Sequence, residues 1–147
     1  MALPDLPPEA VALGVTAEDW RAAVRAAGVV LADAGFAEPE YADEMIRMIE
    51  EHGPYVVIAP GLALAHARPG PAVVRDGIAV VTLANPVDFG HPYNDPVSVV
   101  VALAVATSDA QIALVAELAN VFNDSTTITD LAAAGSVDDV RRILAGS

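Results

Sequence analysis

From Trp20 onward the chain switches between apolar positions spaced for helices and apolar runs with no polar alternation. Trp20, Val24, Ala27, Leu31 and Ala34 recur at steps of four and three residues, the stripe of an amphipathic helix. Thr16 stands ahead of this helix as its N-cap, Glu18 and Asp19 occupy the first turn, and Gly35 ends it. A second helix opens at Pro39, whose fixed φ suits a first helical position. It carries Tyr41, Met45, Met48 and Ile49 on one face, read as core packing, until Gly53-Pro54 stop it.

The pattern then changes to strands. Tyr55 to Ala59 is a short β-prone run, followed by a turn rich in Gly and Pro from Ala59 to Pro69. Gly77 to Leu83 and Val97 to Val105 lack polar alternation, which predicts strands buried on both faces. Asn85-Pro86 breaks the first of these, and residues 89 to 96 (Gly90, Pro92, Asn94, Pro96) read as loop. Thr107-Ser108-Asp109 caps a third long helix with a stripe of Ile112, Val115, Leu118, Ala119 and Phe122. Two short helices follow, Ile128 to Ala134, stopped by Gly135, and Val137 to Leu144, capped by Ser136. Helices followed by strands interleaved with helices predict an α/β layered domain. Residues 1–15, with Pro4, Pro7 and Pro8, read as an irregular arm, and residues 16–147 as a single domain.

Composition narrows the function. Much of the 54% hydrophobic content is alanine, and the longest apolar run, Val97 to Ala106, has ten residues with Ser98 inside it, against about 20 for a membrane span. No Lys or Arg precedes Arg21, so no secretory signal is expected and a cytoplasmic location is the default. Without cysteine there is no thiol catalysis, disulfide or Cys-based zinc site. Twenty acidic and 7 basic residues give a net charge of −13. Such a surface repels nucleic acid, and suits either solubility alone or docking to a protein with a basic patch.

Few residues remain that could do chemistry. His52, at a helix end, is favoured there by the helix dipole and reads as structural. His91 lies in a loop, either solvated or lining a site. His66 has the strongest case, on a Gly/Pro-punctuated turn after an apolar strand, with Arg68 two residues on. No His pair has the i,i+4 spacing of a helical zinc site, so no metal is expected. There is no Gly-x-x-x-x-Gly-Lys-Ser/Thr loop, no Gly-x-Gly-x-x-Gly fingerprint and no Gly-x-Ser-x-Gly elbow. What remains is histidine as a nucleophile. A neutral imidazole, with an ordinary pKa of about 6.5, can attack phosphorus and carry the phosphoryl group as a phosphoramidate. Arg68, backbone N–H groups and a nearby amide or second histidine would hold the oxygens. The group would arrive on a partner protein, so no nucleotide pocket or cofactor is needed.

His52-Gly53-Pro54-Tyr55, Ala59-Pro60-Gly61-Leu62-Ala63, His66-x-Arg68-Pro69 and Asn94-Asp95-Pro96-Val97 follow in an order and spacing that resembles the EIIA component of the sugar phosphotransferase system (PTS), mannitol/fructose superfamily, and within it the ascorbate-type branch. The resemblance runs from about Trp20 to the C-terminus. It implies a mixed β-sheet sandwiched between helices, a three-layer αβα fold. It implies that His66 accepts a phosphoryl group from the phosphohistidine of HPr and passes it to a cysteine of an EIIB partner. That transfer would energise uptake of a sugar or ascorbate through a membrane EIIC. Arg68 matches the basic residue of the ascorbate-type motif, and Arg47 is near the arginine that mannitol-type members carry on the preceding helix. Two departures stand out. Ala65 replaces the proline usual before the active histidine. Gln111 stands where many members carry a second histidine; its amide can donate a hydrogen bond but no charge, and His91 is the residue that could substitute. A regulatory module that signals through phosphorylation of His66 is the alternative function, and a ligand-binding or structural domain a third. The transported sugar lies outside this chain, and the apolar composition and Pro-rich arm are compatible with a homodimer.

Overall fold

The computed structural model describes residues 6–145. They form a single five-stranded sheet and five α-helices. In chain order these are β1 (Val11–Val15), α1 (Trp20–Asp33), α2 (Tyr41–His52), β2 (Val57–Ala59), β3 (Leu62–Ala65), β4 (Gly77–Val87), β5 (Val97–Ala104), α3 (Ser108–Val121), α4 (Ser125–Ala132) and α5 (Val137–Ala145). The strand order is β1-β4-β5-β3-β2. β1 runs parallel to β4 and β3 parallel to β5, while the β4–β5 and β2–β3 pairs are antiparallel.

The two unbroken apolar runs are the centre of the sheet. Every residue from Gly77 to Leu83 and from Val99 to Ala104 is buried. Successive side chains on a strand point to opposite faces, so both faces must be covered by helices. α1 packs across β4 and β5 with α2 beside it, and α4 packs on the same strands with α5 beside it. The expected mixed sheet between helices is the fold observed. No helix among the described residues is long and apolar enough to cross a membrane.

Several local expectations are corrected. The proposed irregular arm is ordered from Leu6: Pro8–Ala10 make one 3-10 turn and Val11–Val15 is an edge strand. The prolines end at Pro8, and Val-Ala-Leu-Gly-Val is free to pair; Gly14, at φ +65°, donates its N–H to Thr82 Oγ1 at 2.9 Å. Residues 1–5 of that arm lie outside the described residues. α1 starts at Trp20, not after Thr16, because the Asp19 carboxylate accepts the Ala22 N–H at 2.8 Å. α2 starts at Tyr41, two residues past Pro39. β4 continues through Asn85-Pro86, where its pairing with β5 shifts register between Thr82 and Val87; a proline is tolerated at such an irregularity because no ladder N–H is required of it. On α3 the buried residues are Leu114 and Leu118, and Ile112 is 70% exposed. The stretch Ala59–Pro69 is not one turn. Pro60-Gly61 turns a hairpin, and Leu62–Ala65 is a fully buried strand.

α1 and α2 approach closely at Gly28. A Cβ placed there would lie 2.4 Å from the Cβ and 2.9 Å from the Cα of Ala42. Two ion pairs, Arg21–Glu50 and Arg25–Asp43, flank that contact on the surface. This packing matters for function because α2 supplies one wall of the cavity described next.

Candidate active site

His66 is the first residue past the C-terminal end of β3. Its Nδ1 lies 2.9 Å from the Leu64 carbonyl oxygen. A carbonyl can only accept, so Nδ1 carries the proton and Nε2 keeps its lone pair. Burial holds the imidazole below the ordinary histidine pKa, partly offset by that backbone bond. The ring is therefore neutral near pH 7 and presents one defined nucleophilic nitrogen.

The hairpin brings Tyr55 to His66. Val57 pairs with Ala63 and the Leu64 N–H donates to Val56 O at 2.8 Å, so the chain around Tyr55 lies alongside the end of β3. The Tyr55 ring meets the His66 ring edge-on, with centroids 5.9 Å apart and planes at 87°. On its other side Tyr55 meets His52 at 6.3 Å and 80°. α2 ends at His52 because Gly53 takes φ +83°, a conformation open to glycine. The Tyr55 phenol is raised above its ordinary pKa by burial, an effect opposed by the nearby Arg68 cation.

These groups surround a cavity of about 270 Å³, walled by Met48, His52, Tyr55, His66, Arg68 and Gln111. A second groove of about 190 Å³ adjoins it, formed by Glu44, Arg47, Glu51 and the shared Met48, Ala67 and Arg68. Of the residues singled out from sequence, His66, Arg68 and Gln111 thus share one cavity. Arg47 lies in the adjoining groove, where Arg68 connects the two.

His91 is elsewhere. Its Nδ1 accepts the N–H groups of Tyr93 and Asn94 at 3.1 and 3.0 Å, and it does not line the cavity. The Asp95 carboxylate accepts from Phe89, Gly90 and His91, Asn94 Nδ2 donates to Val57 O, and the Gly61 N–H donates to Asn94 O. The Asn-Asp-Pro-Val string therefore braces the hairpin turn at the start of β3. His66 is at the far end, five extended residues away or about 16 Å. His91 as a substitute for the second histidine is corrected on this geometry. His52, set aside as a helix-end residue, is the second imidazole that borders the cavity.

Ala67, the residue after His66, is held on both sides. Tyr41, 1% exposed, accepts the Ala67 N–H at 3.0 Å and donates to the Leu103 carbonyl at 2.9 Å. Gln111 Nε2 donates to the Ala67 carbonyl at 3.3 Å. The second Nε2 hydrogen of Gln111 remains for another acceptor. Burial pushes the Tyr41 phenol up to about 12, so it stays a protonated donor at any physiological pH.

A pH effect on stability follows from the lowered His66 pKa. The unfolded chain takes up a proton at about 6.5, while folded His66 does so only at lower pH. Stability is therefore lost as pH falls below that value. Urea unfolding midpoints should drop between neutral and mildly acidic pH in the wild type, and drop less in His66→Gln; parallel curves would refute this.

The sequence matches the model of the family "phosphoenolpyruvate-dependent sugar phosphotransferase system, EIIA 2" over residues 6–147. It is 35% identical over 133 residues to the ascorbate-specific PTS system EIIA component of Shigella boydii, covering 90% of this chain and 86% of that protein. The fold is similar to crystalline IIA mannitol from Escherichia coli, with TM-score 0.85, 27% identity, and 95% and 99% of the two chains covered. It is equally similar, at TM-score 0.85 and 28% identity over 97% and 99% of the chains, to the Escherichia coli enzyme IIAMtl in complex with phosphorylated enzyme IIBMtl. The chain belongs to the EIIA 2 family of the phosphoenolpyruvate-dependent sugar phosphotransferase system.

Proposed function

We propose that the protein is a phosphocarrier in which Nε2 of His66 takes a phosphoryl group from the phosphohistidine of HPr and hands it to a cysteine of an EIIB partner. In the first step a P–N bond on HPr breaks as a P–N bond to His66 forms. In the second that bond breaks as a P–S bond forms on the EIIB thiolate. The observation that carries this reading is the bond from His66 Nδ1–H to Leu64 O, which leaves Nε2 as the free nucleophile beside a cavity with Arg68 and Gln111 in its wall. Arg68 would offset the charge of the phosphoryl oxygens, and Gln111 would add a neutral donor. The relatives named for ascorbate make an ascorbate-type EIIC system the expected setting, and the complex formed by IIAMtl makes EIIB the expected receiver.

Incubation with phosphoenolpyruvate, enzyme I and HPr should add one acid-labile phosphoryl group, seen by mass spectrometry. No adduct with a competent HPr would overturn the carrier reading. Onward transfer to purified EIIB separates a carrier from a regulatory module, a reading kept open by the uncharged Gln111. Replacing Arg68 should slow acceptance without unfolding the protein, since Arg68 is exposed. A hydrogen bond to a charged group contributes about 1.5 kcal/mol or more, so Arg68→Gln is expected to cost about tenfold in rate, measured by rapid-quench transfer from phospho-HPr.

A further inference from the structure

We infer that Tyr41 is the positioning residue of His66, acting with Gln111 as a two-sided grip on Ala67, the residue that follows it. The inference rests on His66 being the phosphoryl acceptor. A buried phenol on α2 is a costly way to fill a core unless its hydroxyl is used. Here both of its hydrogen-bonding functions are spent on backbone: the oxygen accepts from Ala67 N–H and the proton goes to Leu103 O on β5. Gln111, from α3, holds the Ala67 carbonyl, which lies in the next peptide, Ala67–Arg68. Three elements that are far apart in sequence thus meet at one residue, Ala67, whose N–H lies in the peptide that joins it to His66. Neither Tyr41 nor Leu103 lines the cavity, so the effect of the Tyr41 hydroxyl on the reaction passes through His66.

The residue before His66 explains why such a grip is useful. A proline there would lock φ at about −65°. Ala65 does not, so the direction in which the chain leaves β3 must be set from outside. Turning the His66–Ala67 peptide would swing His66 away from Leu64 O, free Nδ1 and let the two imidazole tautomers mix. Nε2 would then no longer be uniquely the nucleophile. An error of about 1 Å in a reacting atom can cost as much as a hundredfold in rate.

Tyr41→Phe tests this, since it keeps the ring and removes only the hydroxyl. In ¹⁵N–¹H spectra at about pH 8, where the ring is neutral, wild-type His66 should show one protonated and one unprotonated nitrogen, widely separated. In Tyr41→Phe that separation should shrink to less than half, and acceptance from phospho-HPr should slow about tenfold or more. Leu131→Val, a fully buried change on α4, serves as the control for lost stability and should leave the ring signals unmoved. Unchanged signals in Tyr41→Phe, or an equal change in the control, would overturn the inference. If the ring responds but the wild type accepts no phosphoryl group, the carrier reading fails and the positioning role stands. Should Tyr41→Phe not fold, Gln111→Ala reads the same signal from the carbonyl side, with the same two outcomes.

Discussion

His66→Ala should abolish phosphoryl acceptance, by at least about a thousandfold, while leaving the fold intact. The expectation follows from how differently the three imidazoles are held. His66 has Nδ1 tied to Leu64 O and an edge-on contact with Tyr55, so Nε2 has a fixed direction. His52 borders the same cavity but is exposed and, among the described residues, has no backbone bond that selects a tautomer; its Nε2 lies 3.9 Å from a Glu51 carboxylate oxygen. In His91, Nδ1 is already committed to Tyr93 and Asn94 at the other end of β3. Only His66 joins a free lone pair to a pre-set orientation, and removing it removes the covalent step. The half-buried ring contributes little packing, so the circular-dichroism melt of His66→Ala should lie close to that of the wild type. Mass spectrometry after exposure to phospho-HPr decides the matter. An adduct that persists in His66→Ala would transfer the acceptor role to His52, the next imidazole along the cavity wall. His91→Ala should keep the adduct.

Gly28→Ala is expected to be the most damaging single methyl group on the α1–α2 face. In an ordinary helix interior this substitution is favourable by about 1 kcal/mol. Here the sign reverses, because the new Cβ would stand 2.4 Å from Ala42 Cβ and 2.9 Å from Ala42 Cα. The Cα belongs to the backbone and has no rotamer to retreat into, so α1 and α2 must separate. Overpacking of this kind costs about 1–3 kcal/mol. At about 2–4 °C per kcal/mol for a chain near this size, the melting temperature should fall by about 2–12 °C. A second effect distinguishes this site from other core positions. α2 carries Met48 and His52 to the cavity and Tyr41 to the Ala67 N–H, so phosphoryl acceptance should slow at temperatures where the variant is still folded. A melt unchanged from wild type would show that the helices can part without cost.

The parts of this structure legible in the sequence were those whose cause is local. The α1 stripe, the capped start of α3 at Thr107 and the apolar runs of β4 and β5 each announce themselves within a dozen residues. His66 and Arg68 were readable as candidates because the chain contains so little other chemistry, and Gln111 through the family resemblance. What could not be read depended on pairing. β3 is four residues, two of them alanine, and becomes a strand because β2 and β5 flank it. His52 has a sufficient local explanation at a helix end, and what carries it to His66 is Gly53 together with a hairpin whose register opposes Val57 to Ala63. That hairpin had a signal, Pro60-Gly61 between two β-prone stretches, which was absorbed into a longer turn. Tyr41 was read as core from its spacing, and it is core; its hydroxyl contacts lie 26 and 62 residues away in sequence.

The brace formed by Asn94 and Asp95 has a consequence for how such chains are to be compared. It secures one end of β3 through two side chains bonded to backbone groups, and the His66 imidazole sits at the other end of the strand. Each end can therefore be inherited, lost or redesigned without the other. A relative that keeps Asn-Asp-Pro-Val has declared its architecture, and whether it can be phosphorylated must be read separately, from the residue one step beyond its third strand.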